Sequence, residues 1–172
     1  MGSEMCIRDR SETVGTAGFV VGMRHPHGPN PAEWVGHDAR MSSYVSHTSV
    51  DCANAYTLSV WWQGVLDYGQ DPDDPSEPGH EECLIISPDG HHRILFIEVP
   101  EGKQVKNRIH FDLRPREGSR DEELARLLAH GATEVNDLRQ PDGRGWVVLA
   151  DPEGNEFCIL RGEAEIAAQR AS

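Results

Sequence analysis

The sequence has 172 residues, 37% of them hydrophobic, which fits one compact domain or two small paired modules. Its formal net charge of −13 argues against a surface that binds nucleic acid or an acidic membrane. The four cysteines form no C-x-x-C pair, and no apolar run approaches the roughly 20 residues that a membrane span needs. We therefore predict a reduced, cytoplasmic protein with neither a nucleic-acid nor a membrane partner.

Residues 1–41 show no sustained period of two or 3.6 residues and mix glycine, proline, histidine and charge. We predict a disordered leader here. Its opening, MGSEMCIRDR, resembles a translated sequencing adapter, an origin that would make the leader non-native. Its three histidines are interpreted as solvated coil residues and excluded from the site: His25, His27 and His37. The domain is predicted over 42–162, followed by a C-terminal tail over 163–172.

The first half of this domain is predicted to be a strand, a helix and a hairpin. Residues 43–51 are rich in β-branched and aromatic side chains, and His47 lies near the middle of this strand. Residues 52–66 carry apolar side chains at helical spacing, including Trp61 and Trp62, which are adjacent and cannot face the same direction. An acidic loop over 67–81 then leads to a hairpin over 82–99, whose turn reads SPDG.

The second half is predicted to repeat this order of elements. A strand over 108–113 carries His110, and a helix begins at Ser119 with the capping-box spacing to Glu122. A strand over 133–138 precedes the hairpin GRGWVVLADPEGNEFCIL, in which Gly154 can take the positive φ that its turn needs.

The two halves therefore have the same layout. Asp151 follows Ser87 by 64 positions, and His110 follows His47 by 63 positions. We predict an α+β fold of two paired βαβββ modules, over 43–99 and 107–162, which form a curved eight-stranded mixed sheet around a cleft.

Three stretches carry a family resemblance: the helix motif W-W-x-x-V-L after His47, N-R-I-H-F-D-L around His110, and G-W-V-V-L-A-D-P-E-G-N-E-F-C-I-L. Together they resemble the vicinal oxygen chelate superfamily, especially its glyoxalase-like branch. The resemblance implies a metal held by the first and last strands of each module, with His47 and His110 at the two first-strand positions. Two imidazoles suit a borderline divalent ion, Zn²⁺, Ni²⁺, Fe²⁺ or Mn²⁺, with carboxylates completing the shell. The alternative is that both histidines are ordinary strand residues and that no metal is bound.

The sequence departs from the family pattern at the last strand of each module. Cys158 stands where the resemblance implies a carboxylate ligand, and Glu156 shares its face of the strand and is the candidate replacement. In the first module the equivalent position is predicted to be Ile94 or Phe96, and Glu98 is the nearby carboxylate. We therefore predict Glu156 as a third metal ligand, and Glu156 or Glu98 as the catalytic base. Four residues are predicted to line the cleft: Phe96, Trp146, Cys158 and Trp62.

Two functions remain open at this point. The first is a metal-dependent lyase, isomerase or dioxygenase that acts on a small molecule between the modules. The alternative is a metal-free protein that binds and sequesters a small molecule, as in the resistance-type members of the superfamily. The resemblance also implies a homodimer.

Overall fold

The elements of this chain follow one another in the same order twice. A computed structural model describes residues 43–171, so the predicted leader lies outside the described residues. Eight strands and three helices form in this range: β1 (Thr48–Cys52), α1 (Ala55–Leu66), β2 (Gly69–Gln70), β3 (Glu82–Ile86), β4 (Arg93–Glu98), β5 (Asp112–Leu113), α2 (Arg120–Ala129), β6 (Thr133–Asp137), β7 (Val147–Ala150), β8 (Glu156–Ile159) and α3 (Glu163–Ala171). None of these helices is long and apolar enough to cross a membrane.

The strands form two four-stranded mixed sheets with the same internal order. The first sheet runs β1-β4-β3-β2 and the second runs β5-β8-β7-β6. In each sheet the first strand of the module pairs in parallel with the last, and the remaining neighbours are antiparallel. The prediction of an α+β fold built from two βαβββ modules is confirmed, with the eight strands divided equally between two sheets.

Capping residues in the sequence account for the N-terminal ends of α1 and α2. The Asn54 side chain accepts a hydrogen bond of 2.8 Å from the Thr57 N–H and begins α1. In α2 the predicted capping box is present, because the Ser119 side chain accepts from the Glu122 N–H while the Glu122 carboxylate accepts from the Ser119 N–H. The side chains of Asn54 and Ser119 therefore determine where α1 and α2 begin.

Period-two alternation in the strands supplies the core. Buried side chains of β3, β4, β7 and β8 join apolar side chains of α1 and α2 in one cluster. Its largest fully buried members are Phe96, Phe157, Leu58, Ile85, Ile94, Leu127, Leu149 and Ile159. The intervening strand residues, such as Leu95 and Ile97, are only partly buried and lie on the opposite face of the sheet.

The register corrects one predicted equivalence between the modules. Ile94 and Phe96 are fully buried and pair with the core positions of β3, as Phe157 and Ile159 pair with those of β7. Leu95 is therefore the counterpart of Cys158, and neither Ile94 nor Phe96 is. The reason is that the residues that join β3 to β4 are one longer than those that join β7 to β8.

Several elements differ in extent from the predictions. The first strand, predicted over 43–51 with His47 near its middle, covers only Thr48–Cys52, so that His47 precedes it. The strand β2 forms within the acidic loop predicted over 67–81. The strand predicted over 108–113 is regular only at Asp112–Leu113, where it pairs with Cys158 and Ile159. The predicted C-terminal tail contains α3, and the Glu165 carboxylate of this helix accepts hydrogen bonds of 2.8 Å from the backbone N–H groups of Arg120 and Gly162. A charged side chain in the tail therefore satisfies one free donor at the start of α2 and one just before α3.

Candidate functional site

A cavity of about 660 Å³ lies between the edge of the first sheet and the segment that joins the two modules. We call residues 99–111 the connecting segment. The cavity wall combines β1, the connecting segment and the β7–β8 turn, with Trp62 of α1 at its inner side. The lining residues are 48–53, Trp62, Val99, 101–111, Asp151, Glu153, Asn155 and Glu156. Both modules therefore contribute to one open cavity of a size that suits a small organic molecule.

The inner wall of the cavity is fixed by a buried carboxylate. Asp151 is 3% exposed and accepts a 3.1 Å hydrogen bond from the indole N–H of Trp62, which is 2% exposed. The same carboxylate accepts from the backbone N–H groups of Glu153 and Asn155 and from the Asn155 side-chain amide. Its two oxygens thus receive four hydrogen bonds, which compensate the cost of burying the group.

Two glutamates near the cavity bind the N-terminal end of α1. The Glu153 carboxylate accepts hydrogen bonds of 2.6 and 3.0 Å from the backbone N–H groups of Ala53 and Asn54. Glu98, predicted from the sequence as a catalytic base, accepts a 3.2 Å bond from the Ala55 N–H. Negative charge is favourable at this end of a helix, so the contacts of Glu98 give it a structural role.

Glu156, the other carboxylate predicted from the sequence, lies in the cavity wall and binds two residues of the connecting segment. One of its oxygens is 3.0 Å from the Lys103 ammonium and accepts a 3.0 Å hydrogen bond from the Asn107 N–H. Partial burial raises the pKa of Glu156, but the bonds from Asn107 and Lys103 outweigh it and lower the pKa below its ordinary value. A carboxylate held in its charged form by two donors is a weak proton acceptor.

Among residues 43–171, one group of possible metal ligands forms, and it includes His110 of the cavity lining. His110, Asp112 and Cys158 place a ring nitrogen, a carboxylate oxygen and a sulfur within 4.8 Å of one another, and the His110 Nε2 is 3.4 Å from Asp112. Asp112 pairs directly with Cys158 across the parallel strands β5 and β8. Burial of Cys158, together with the charge of Asp112 and a hydrogen bond to it, raises the pKa of the thiol to about 11. Without a metal this thiol is neutral at pH 7 and is not an activated nucleophile.

The remaining predicted site residues lie outside this group. His47 is exposed just before β1, where its ring contacts Ser46, and it does not line the cavity. Phe96 is fully buried in the core on the side that faces α1. Trp146 is 42% exposed and lies away from the cavity lining. Of the residues predicted to line the cleft, only Trp62 borders this cavity.

Three residues near the site were not predicted from the sequence: Asp112, Asp151 and Lys103. The signal for Asp112 was available, because it follows His110 by two positions and must share its face of an extended strand. Asp151 was recognised only as a turn residue, and Lys103 lies in a segment without periodicity, so nothing local indicated their partners.

The donor set of His110, Asp112 and Cys158 fits a divalent ion in its chemistry. Nitrogen, oxygen and sulfur together suit a borderline or thiophilic ion such as Zn²⁺ better than Mn²⁺, which prefers oxygen. Three protein ligands would leave a coordination position for a substrate. The His47 imidazole is not part of the group.

Comparison with known proteins agrees with this architecture. The family model described as a glyoxalase-like domain matches residues 47–160. No curated protein matches the chain significantly. Many solved structures do. The three described below are 15–18% identical to this chain, so that they report on the fold alone.

Three of these structures illustrate the likeness. A mutant of the fosfomycin resistance protein FosX from Listeria monocytogenes, complexed with Mn(II) and 1S,2S-dihydroxypropylphosphonic acid, has a TM-score of 0.54 at 17% identity, and the match covers 77% of this chain and 100% of that one. FosX from Mesorhizobium loti has a TM-score of 0.51 at 15% identity, covering 74% and 99%. A member of the glyoxalase/bleomycin resistance protein/dioxygenase superfamily from Sphaerobacter thermophilus has a TM-score of 0.51 at 18% identity, covering 70% and 98%.

The family match, the duplicated βαβββ module and the shared fold agree with one another. The match spans both modules from just before β1 to the end of β8. The chain belongs to the glyoxalase-like domain family.

Proposed function

We propose that this protein binds a small organic molecule in the cavity between β1 and the connecting segment. The observation that carries the proposal is the cavity itself: about 660 Å³, with an indole at its inner wall and charged groups at its rim. Binding sites for small molecules combine apolar walls with a few polar groups in this way. Trp62, Val50 and Phe111 offer the apolar surface, and polar side chains of the β7–β8 turn border it.

The similar structures support a small-molecule ligand in general terms. FosX from Listeria monocytogenes was solved with Mn(II) and an organic phosphonate, and the same protein was also solved with Mn(II) and sulfate. These ligands belong to that protein. For the present chain they support only the proposal that the fold is used here, too, to hold a small ligand.

Metal-dependent chemistry is the second candidate, and the group of His110, Asp112 and Cys158 favours it. When bound there, a divalent ion would supply Lewis-acid polarisation of substrate oxygens, as a lyase, isomerase or dioxygenase of this superfamily requires. His47 and Glu156, predicted as ligands from the sequence, would have to move to join it. Glu156 would first have to release Asn107 and Lys103.

Binding of a neutral fluorescent probe tests the first proposal. We expect N-phenyl-1-naphthylamine to bind the purified protein with 1:1 stoichiometry and to receive excitation energy from tryptophan. The Val50→Trp substitution fills the cavity and is expected to abolish binding. Val135→Trp on β6 is the matched control, because Val135 is exposed and lies outside the cavity. Equal binding by both variants, with circular dichroism showing intact folds, would exclude the cavity as the site.

Elemental analysis separates the two candidates. If the metal-dependent function is right, the protein purified without chelators contains about one equivalent of a transition metal, and Cys158→Ser and His110→Ala each lower this content. Cys83→Ser, at a buried cysteine outside the donor group, is the control. Wild-type protein that neither contains metal nor takes up Zn²⁺ leaves the metal-free binding function.

A homodimer remains a proposal that rests on the resemblance. Sedimentation equilibrium of the full chain tests it directly. A mass of about twice the 19.1 kDa of one chain is expected, and a single monomeric species at micromolar concentration would contradict it.

A further inference from the structure

The two lysines of the sequence, Lys103 and Lys106, both line the cavity. Every other basic side chain among the 16 is an arginine, and one of these, Arg108, lines the same wall. Three cations therefore lie within six residues of the connecting segment, in a chain whose formal net charge is −13. The positive charge is concentrated on the connecting segment, because the cavity lining as a whole also carries five carboxylates: Asp51, Glu101, Asp151, Glu153 and Glu156. What the three cations can bind therefore depends on how these carboxylates are engaged.

Internal ion pairing accounts for only one of these three cations. The Lys103 ammonium contacts Glu156 at 3.0 Å and donates a 2.7 Å hydrogen bond to the Val105 carbonyl oxygen. Within residues 43–171, Lys106 and Arg108 have no hydrogen bond or salt bridge.

Most acidic groups of the wall are already engaged. Asp151 receives four hydrogen bonds, Glu153 binds the N-terminal end of α1, and Glu156 is paired with Lys103. Asp51 and Glu101 are the remaining acids of the lining, and they are exposed, as Lys106 and Arg108 are. The wall therefore presents Lys106 and Arg108 as donors without internal acceptors.

We propose that the ligand of this cavity carries an anionic oxygen group, a carboxylate or a phosphate, which Lys106 and Arg108 bind while its apolar part packs against Trp62, Val50 and Phe111. This inference rests on the proposed function, because it names the chemical class of the molecule that the cavity takes. Charge-assisted hydrogen bonds are shorter and stronger than neutral ones, and Arg108 can contact two anionic oxygens at once. The same cations offset the repulsion that an anion meets when it approaches a protein of net charge −13.

Two fluorescent probes that differ in one anionic group provide the test. 8-Anilino-1-naphthalenesulfonate and N-phenyl-1-naphthylamine share the same aromatic framework, and only the first carries a sulfonate. We expect the wild-type protein to bind the anionic probe about 10-fold more tightly than the neutral one at low salt, with the difference shrinking at high ionic strength. Benzoate and phenyl phosphate are expected to displace the anionic probe, and benzyl alcohol is not. Whichever of the two anions displaces more strongly distinguishes a carboxylate from a phosphate ligand.

Substitutions assign the effect to the cavity wall. The double variant Lys106→Gln/Arg108→Gln is expected to lose about 10-fold in affinity for the anionic probe and less than twofold for the neutral one. Arg170→Gln on α3, outside the cavity lining, removes a positive charge elsewhere and is expected to change neither.

The outcomes separate the two proposals. If neither probe binds, the cavity does not take small molecules and the proposed function fails, and this inference fails with it. If both probes bind equally in wild type and in the double variant, the cavity binds ligands but the inference of an anionic group is wrong. A loss of the anionic probe alone in the double variant supports it.

Discussion

The two modules share one topology, but they hold the start of their helices in different ways. In the second module Ser119 and Glu122 cap α2, and Glu165 of the following helix α3 accepts a hydrogen bond from the Arg120 N–H. In the first module Asn54 caps α1, and two further N–H groups donate to Glu153, which lies 99 and 100 positions away in the turn of the other module. The start of α1 is thus completed by the second module.

The two hairpin turns also differ in their contacts, because only the second turn binds the other module. In the SPDG turn the Ser87 hydroxyl accepts from the His92 N–H and donates to Asp89, so that its bonds stay within the turn. In the DPEGN turn the buried Asp151 also binds Trp62 of the first module. The two modules therefore share their topology, and polar groups in the turn of the second module join the halves. Four substitutions, from the largest expected effect to the smallest, test this difference.

Asp151→Ala is expected to destabilise the protein by about 3 kcal/mol, because it leaves the Trp62 indole N–H and two turn N–H groups buried without acceptors. Ser87→Ala, at the equivalent position of the first turn, is expected to cost about 1 kcal/mol. Urea unfolding of both variants measures the difference. Equal losses would show that the two turns are interchangeable and that the contact between modules adds nothing.

Gly64→Ala is expected to destabilise by about 2 kcal/mol although alanine favours helices, since its methyl group would lie 2.6 Å from the His130 ring. That ring donates a 2.9 Å hydrogen bond from Nε2 to the Trp61 carbonyl oxygen, while the Trp61 indole donates to the His130 carbonyl oxygen. The displaced ring would lose this contact between α1 and the end of α2.

A double variant separates crowding from helix propensity in this prediction. With His130→Ala present, the added methyl group meets no ring, and Gly64→Ala should then stabilise by about 1 kcal/mol. The sign of the Gly64→Ala effect is expected to reverse between the two backgrounds in thermal unfolding. A destabilisation that persists in the His130→Ala background would contradict the close approach of the helices.

Glu153→Ala is expected to cost about 1 kcal/mol, similar to the loss of the α2 cap in Ser119→Ala. The two variants differ in where the loss occurs. Hydrogen exchange should accelerate at the amides of Ala53 and Asn54 in the first variant and at the amide of Glu122 in the second. Unchanged protection at Ala53 in Glu153→Ala would mean that the second module does not cap α1.

Low pH is expected to weaken the attachment of the connecting segment. This is the smallest of the four expected effects on stability. Because the pKa of Glu156 is lower in the folded protein, its contribution to stability is present above the ordinary value of 4.5 and is lost as the pH falls through the folded value. Glu156→Gln should therefore be less stable than wild type at pH 7, and the difference should shrink below pH 4.5 in thermal unfolding. Glu101→Gln removes a carboxylate from the same segment and is the control. A difference that is constant with pH would contradict the ion pair.

Patterns within single elements were sufficient to predict most of the fold. The capping box at Ser119, the alternation in the hairpins and the repeat between Ser87 and Asp151 are local, and each survives in the structure. The offset between the modules is 64 positions at Ser87 and Asp151 and 63 at Leu95 and Cys158, because the segment that joins β3 to β4 is one residue longer than its counterpart. A constant offset of 64 pairs Cys158 with Ile94, and only the register of the sheets reveals the change.

The site was less predictable because its contacts join distant parts of the chain. Glu98 lies on a strand in a position compatible with a catalytic base, and only the fold reveals that the start of α1 lies beside its carboxylate. Glu156 likewise meets Lys103 and Asn107 only once the connecting segment has crossed the cavity. Such side chains carry no periodic signal, so spacing alone does not distinguish a ligand from a structural anchor.

The confinement of both lysines to one cavity wall affects how the protein can be handled in the laboratory. Reagents that couple to primary amines, used to attach proteins to biosensor chips or to add dyes, would react in this sequence with Lys103, Lys106 and the α-amino group. An amine-coupled surface would obstruct the cavity and make a functional protein seem inert. Attachment through a terminal affinity tag leaves the cavity open.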